Sequence, residues 1–284
     1  QSFRLNNTIR NDHQFLLSSD IKSLDSLGRN IQSIGTRIEY VFDDAMDLSL
    51  NLKQGYQIKL FFEGAKRINT SLHDGIKVNP LKGLLLIAGL DARYHLPILR
   101  HSVFANRFYL NASFGQQRLL NHLGGTENWL IPKYSTESVS ITDQEFAFSQ
   151  QVTEVRGHPI GARKGSSAAV FSTELRDPFV QYILNQNWKN SFLRNLQFIC
   201  FTDVGLSWNG LIPNIKEAEE FKIRAQNPAV IVDVIYKRDP VISGMGMGLR
   251  SSLFGYFLRF DYAWPVDRYG FSNPLPHLSL GLDF

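Results

Sequence analysis

The stretch Gly255-Tyr256-Phe257-Leu258-Arg259-Phe260-Asp261-Tyr262-Ala263-Trp264 alternates residue by residue. Tyr256, Leu258, Phe260, Tyr262 and Trp264 fall on one side of an extended chain, and Gly255, Arg259, Asp261 and Ala263 on the other, because successive side chains of a strand point to opposite faces. One face is greasy and aromatic; the other is charged. The same split recurs upstream. Ile34, Thr36, Ile38, Tyr40 and Phe42 oppose Ser33, Gly35, Arg37 and Glu39, and Tyr56, Ile58, Leu60 and Phe62 oppose Gln57, Lys59 and Glu63. Leu84, Leu86, Ala88, Leu90 and Tyr94 lie opposite Asp91, Arg93 and His95, and Phe104, Phe108, Leu110 and Phe114 opposite Arg107, Asn111 and Ser113. Further strands are expected over Ser166 to Asp177, Phe192 to Trp208 and Ser243 to Ser251, and one more over Phe3 to Leu17. Leu278, Leu280, Leu282 and Phe284 continue the pattern against Ser279, Gly281 and Asp283, so a strand is expected to run to Phe284.

The segments are about ten residues long, the length of a tilted membrane strand and above the ~5–6 usual in soluble sheets. Tight turns near Pro97 to His101 and Leu253-Phe254 alternate with long connections, Gln116 to Lys164 and Asn209 to Val241; the latter, rich in Lys and Glu, is expected to carry a short helix. Short turns at one end and long loops at the other are the wiring of outer-membrane barrels.

A soluble sandwich or a lipocalin-like barrel also alternates, with its apolar side inward. Two features favour the reverse orientation. The polar faces carry Arg, Glu, Asp, Lys and His with Gly and Ser between them, as a hydrated lumen does, and the apolar faces begin or end in aromatics, as interfacial girdles do. The expectation is therefore an all-β, antiparallel transmembrane β-barrel with long extracellular loops. Lipid offers backbone groups no partner, so a spanning sheet must close and its outer face must be apolar.

Composition narrows the function. A chain of 284 residues with 43% hydrophobic and 20% charged residues is not a disordered tail. The net charge of +4 comes from basic residues scattered singly, so nucleic acid is not the implied partner. The longest apolar run, Leu84 to Ala88, is far short of the ~18 residues of a membrane-spanning helix. The single cysteine, Cys200, excludes an internal disulfide framework and reads as a small apolar residue on the lipid face. The histidines, among them His95, His101 and His122, lack metal-ligand spacing, so no metal and no cofactor is expected. Gly244, Gly246 and Gly248 imitate a phosphate loop, but no strand-to-helix context follows them. No basic and then apolar leader follows Gln1, so a signal peptide is expected to have been removed or to lie upstream.

Three local patterns occur in fixed order. Val155-Arg156-Gly157-His158 sits at the end of the longest loop, before Ser172-Thr173-Glu174-Leu175-Arg176-Asp177-Pro178. Phe201-Thr202-Asp203-Val204-Gly205 comes next, and Gly246-Met247-Gly248-Leu249-Arg250 leads into Gly255 to Ala263 and Phe284. The ordered set, with about five strands after the Val-Arg-Gly loop, resembles the C-terminal barrel of the BamA/TamA/two-partner-secretion superfamily, the bacterial surface antigen type. Gly124-Gly125-Thr126-Glu127-Asn128-Trp129-Leu130-Ile131-Pro132 is similar to a stretch in the Bacteroidota versions.

The resemblance, which covers about residues 30 to 284, implies the C-terminal part of a sixteen-stranded barrel, with residues 29–284 as barrel and an inward-folding loop at about 116–164; residues 1–28 stand outside it as an N-terminal segment, whose one expected strand is that of Phe3 to Leu17. It implies that Val155, Arg156 and Gly157 form the tip of that loop and that Arg156 docks on Asp203, with Gly205 allowing close approach. Parity agrees, since Asp203 falls with Gln197 and Gly205, opposite Phe198, Cys200, Val204, Leu206 and Trp208. Glu174, Arg176 and Arg250 are expected to extend a lumenal network, or else to be ordinary solvated interior residues. The glycines of Gly244 to Gly248 are expected to make room for the loop. His158 stands where the family has an aromatic and reads as a solvated loop histidine, the alternative being a pH-sensitive tip. Leu280, Leu282 and Phe284 resemble the C-terminal signal by which barrels are themselves assembled.

The implied function is non-enzymatic: insertion, assembly or translocation of proteins at the bacterial outer membrane. The implied partners are outer-membrane lipid, unfolded or translocating client proteins and other envelope-complex subunits. The alternatives are a structural or pore-forming barrel subunit of a larger envelope complex, and a soluble β-protein with a ligand cavity.

Overall fold

The computed structural model describes residues 1–14, 29–71, 77–98, 101–135, 146–180, 190–213, 219–227, 230–267 and 270–284. The chain is all-β. It runs β1 (Ser2–Gln14), β2 (Arg29–Asp43), β3 (Met46–Ser49), β4 (Leu52–Ser71), β5 (Lys77–Pro97), β6 (Val103–Gly115), β7 (Arg118–Leu123), β8 (Phe146–Thr153), β9 (Arg163–Gly165) and β10 (Ser167–Asp177). The short helix α1 (Ser191–Arg194) precedes β11 (Gln197–Trp208), β12 (Glu219–Asn227), β13 (Val230–Arg238), β14 (Val241–Leu253), β15 (Tyr256–Asp267), β16 (Gly270–Phe271) and β17 (Leu275–Leu280).

One 12-stranded antiparallel sheet forms the wall, in the order β1-β2-β4-β5-β6-β10-β11-β14-β15, with β17 and the two-residue β16 both beside β15 and the short β3 beside β4. Neighbours in the wall follow one another along the chain, so each strand returns beside the last. Among the described residues β1 and β17 do not pair, and the path is open. The wall nevertheless curls. Asn51, in the turn between β3 and β4, donates to Gln197 of β11 at 3.2 Å, although β5, β6 and β10 separate β4 from β11 along the sheet.

The two faces of the wall divide as alternation demands. Leu60, Phe62, Phe108, Phe171, Met247, Phe260 and Leu278 are exposed on the outer side, whereas Asp203, Asp261, Arg250, Arg259, Glu174 and Arg176 are buried on the inner side. The inner face is not polar throughout. Phe61, Ala65, Leu85, Ile87, Tyr109, Ala168, Val170 and Ile242 form an apolar patch on it, covered by Leu119, Leu123, Val155 and Ala162 of the long loop. This accounts for the unbroken run Leu84 to Ala88, where Leu84 and Leu86 point outward while Leu85 and Ile87 are buried under the loop.

That loop is itself folded. β7 pairs in parallel with β8 and antiparallel with β9, making a three-stranded sheet laid on the inner face. At the other end of the wall β14 and β15 join through the two-residue turn Phe254-Gly255, with φ of 51° and 84°, a turn whose twist suits a hairpin.

Several sequence expectations are corrected. Residues 191–194 are helical, not the start of a strand, because the Asn190 side chain caps them by accepting from the Phe192 N–H at 2.9 Å, and the strand begins at Gln197. Among the described residues of Asn209 to Val241, where a short helix is expected, β12 and β13 form a hairpin and no helix occurs; Val230, Ile231, Val232, Val234 and Ile235 are β-branched and favour the extended chain. Residues 214–218 lie outside the described residues, as do 15–17 of the expected first strand, 99–100 of the expected turn and 136–145 of the loop. The last strand ends at Leu280, because Gly281 adopts φ of 125° and turns the chain inward.

Candidate functional site: a loop tip seated on the inner face

Val155, Arg156 and Gly157 lie against the inner face of the wall, and all three are buried. Gly125 bridges Val155, and the Gly125 N–H donates to the His158 carbonyl at 2.9 Å, so the loop braces its own tip. The Arg156 guanidinium donates Nε to Asp203 Oδ2 at 2.7 Å and Nη2 to Asp203 Oδ1 at 2.8 Å, a two-point contact. Its remaining edge donates Nη1 to Glu174 Oε1 at 2.6 Å, and the Arg156 N–H also donates to Asp203 at 3.1 Å. The guanidinium carbon, Cζ, lies over the Phe201 ring, 3.6 Å from its centre. Charge, planarity and an aromatic face are thus all matched, which only arginine does.

Glycine makes the approach possible. A β-carbon on Gly244 would lie 1.9 Å from the Arg156 carbonyl oxygen, and one on Gly205 would lie 2.8 Å from Val155 Cγ2. Gly157 has φ of 90°, and its N–H donates to His277 Nε2 at 3.0 Å. Gly246 and Gly248 are occupied differently, by Phe201 and by the Arg250–Asp261 pair respectively.

The pair belongs to a larger buried network. Arg176 Nε donates to Glu174 Oε2 at 2.8 Å, so Glu174 sits between two arginines. Arg250 meets Asp261 at 2.8 Å and Asp283 at 2.8 Å. Arg259 meets Asp283 at 3.1 Å and Glu154 of the loop at 2.7 Å. Burial pushes the Glu154 carboxyl up, but the Arg259 guanidinium outweighs it and holds it down at about 2. Burial likewise pushes up Asp283, and Arg250 with Arg259 brings it far below the usual carboxylate range. Every buried arginine named here has at least one carboxylate, as a low-dielectric site requires.

The structure therefore brings Arg156, Asp203, Glu174 and Arg176 together, with Arg250 in the adjoining cluster. It does not bring Leu280, Leu282 and Phe284 onto one outer stripe. Leu282 is exposed, but Phe284 turns inward: Arg176 Nη2 donates to its carbonyl at 2.9 Å, and the Arg176 guanidinium lies 4.9 Å from its ring. His158 is not a freely solvated histidine either, for its Nε2 lies 2.8 Å from the Ser243 carbonyl and burial lowers its pKa. Glu154, Phe201, Arg259, Asp261, His277, Asp283 and Asn51 join the site without having been singled out as site residues. Arg259 and Asp261 share the polar face of β15, which is a signal; Asp283 and Asn51 reach the site through turns, which alternation does not reveal.

Among the described residues no group of His, Cys, Asp or Glu could hold a metal ion. Among the same residues no helix is long and apolar enough to cross a membrane, which says nothing of strands. The sequence matches no family model and no curated protein.

Proposed function

We propose that this chain is the C-terminal part of an outer-membrane β-barrel of the BamA-like superfamily, and that it acts in insertion, assembly or translocation of proteins at the bacterial outer membrane. The observation that carries this reading is the loop tip, with Arg156 held by Asp203 and Glu174 on the inner face of an antiparallel wall. Leaving aside the two-residue β16, five wall strands, β10, β11, β14, β15 and β17, follow that tip, in keeping with the about five that the superfamily resemblance leads one to expect. The apolar outer face supports contact with acyl chains, and the β1 edge of the wall, which pairs with no further strand among the described residues, supports pairing with additional strands.

The test is reconstitution into lipid vesicles and folding of an urea-unfolded small outer-membrane barrel, followed by heat-modifiable gel mobility. Acceleration by the wild-type chain, lost in Arg156→Ala, is expected. No acceleration by a membrane-integrated wild type overturns the reading. It would favour instead the structural barrel subunit, a reading supported by the buried ion network and the Gly281–Phe284 segment that tie the inner face together.

A further inference from the structure

The wall ends at β17, and one edge of β17 pairs with β15. Its other edge is taken by the loop. Trp129 bridges Ser279 antiparallel, the Leu130 N–H donates to the Leu278 carbonyl at 2.8 Å, and the Leu280 N–H donates to the Asn128 carbonyl at 3.4 Å. Side chains follow the register of a true added strand. Trp129 and Ser279 are buried, whereas Leu130 and Leu278 are exposed on the opposite side. Trp129 anchors the segment by lying 4.3 Å from the His277 ring. Asn128 enters through φ of 53°, and Pro132 two residues beyond Leu130 ends any further pairing on that side.

A free strand edge is a template for any extended chain. Here the template carries a three-residue cover drawn from the same loop whose tip holds Arg156. We propose that Asn128-Trp129-Leu130 is a guard strand: it occupies the outer edge of β17 in cis, and an incoming strand pairs with Leu278 and Leu280 only after displacing it. The chemistry of the competitor is written in the register. It is an extended segment with an apolar side chain where Leu130 sits and a neutral or aromatic one where Trp129 sits. That this competitor is a membrane-protein strand rests on the function proposed above; the competition itself does not.

Trp129 and Ser279 face each other between the two flanking hydrogen bonds, the pairing in which cross-strand side chains lie closest. The test uses Trp129→Cys with Ser279→Cys in a Cys200→Ser background, p-benzoylphenylalanine in place of Leu278, and a biotinylated peptide of residues 34–43 as the probe strand. With the disulfide closed, photolabelling by the peptide should be at background; after reduction it should rise several-fold, and a scrambled peptide should not reproduce the rise. In the chain with Trp129 and Ser279 intact, Leu130→Pro, which deletes the N–H that donates to Leu278, should raise labelling in the same direction. Failure of the disulfide to form, or equal labelling before and after reduction, overturns the guard. If the reduced form captures the peptide but the wild type never accelerates client folding, the guard stands and the assembly role falls. If the wild type accelerates client folding while stapling changes neither readout, the guard falls and the assembly role stands.

Discussion

Arg156 and Asp203, 47 residues apart in sequence, meet through two parallel N–H···O contacts of 2.7 and 2.8 Å, with both side chains excluded from solvent. Removing one partner leaves the other buried with its charge only partly answered. Asp203→Ala should therefore weaken seating of the loop by roughly 3–5 kcal/mol, and Arg156→Ala by a similar amount. Because each substitution abolishes the same contact, the double variant should be no worse than either single one in client folding or in protease resistance of the loop. Additive losses would count against the pair acting as a unit.

Gly244→Ala tests the same seating without touching charge. The new methyl would collide with the Arg156 carbonyl, so the tip must back away from β14. The expected result is faster hydrogen exchange at residues 154–158 with the wall strands unchanged. Gly210→Ala meets nothing within 4 Å and serves as the control, although its φ of 93° adds local strain.

Acid should loosen the loop in two stages. Burial, assisted by the Lys164 charge, lowers the His122 pKa from its ordinary 6.5 to about 4. The unfolded loop therefore binds more protons than the docked one between those values, and docking weakens as pH falls through that window. Glu154, held at about 2 against an ordinary 4.5, contributes stability that is complete above 4.5 and is lost as pH falls toward 2. Limited proteolysis of the loop across pH 7 to 3 reads both stages; a flat profile would show that neither group is linked to docking.

The outer face makes a prediction that separates a membrane wall from a soluble one. Phe260 and Leu60 are exposed on it, so Phe260→Arg or Leu60→Arg should cost about 2–4 kcal/mol in a bilayer if the position lies near the midplane. In a soluble sheet an exposed arginine would cost little. Cys200 offers a second readout, being exposed on the same face: in vesicles it should react with a membrane-permeant maleimide and resist a charged one. Equal reaction with both would end the lipid-facing orientation.

Alternation made the wall legible wherever one face met polar groups and the other did not, as from Gly255 to Trp264. It failed where both faces are apolar: Leu85 and Ile87 look like part of a featureless greasy run until Leu119 and Val155 are seen above them. It also failed at chain reversals, because period two carries on through Gly281 on paper, while that glycine's φ of 125° sends Asp283 and Phe284 across the interior. The Arg156–Asp203 contact was anticipated through the family resemblance and the parity of Asp203. The Arg259–Glu154 and Arg250–Asp283 contacts were not, since each joins segments that no local pattern connects.

The segment from Gly281 to Phe284 reaches from β17 to Arg176 of β10 and to Asn51 beside β4. It spans the concave side like a tie rod, fixing the curvature of the wall from within and not through a seam between its outermost strands. Either margin of such a trough can be vacated or filled without the trough losing its shape.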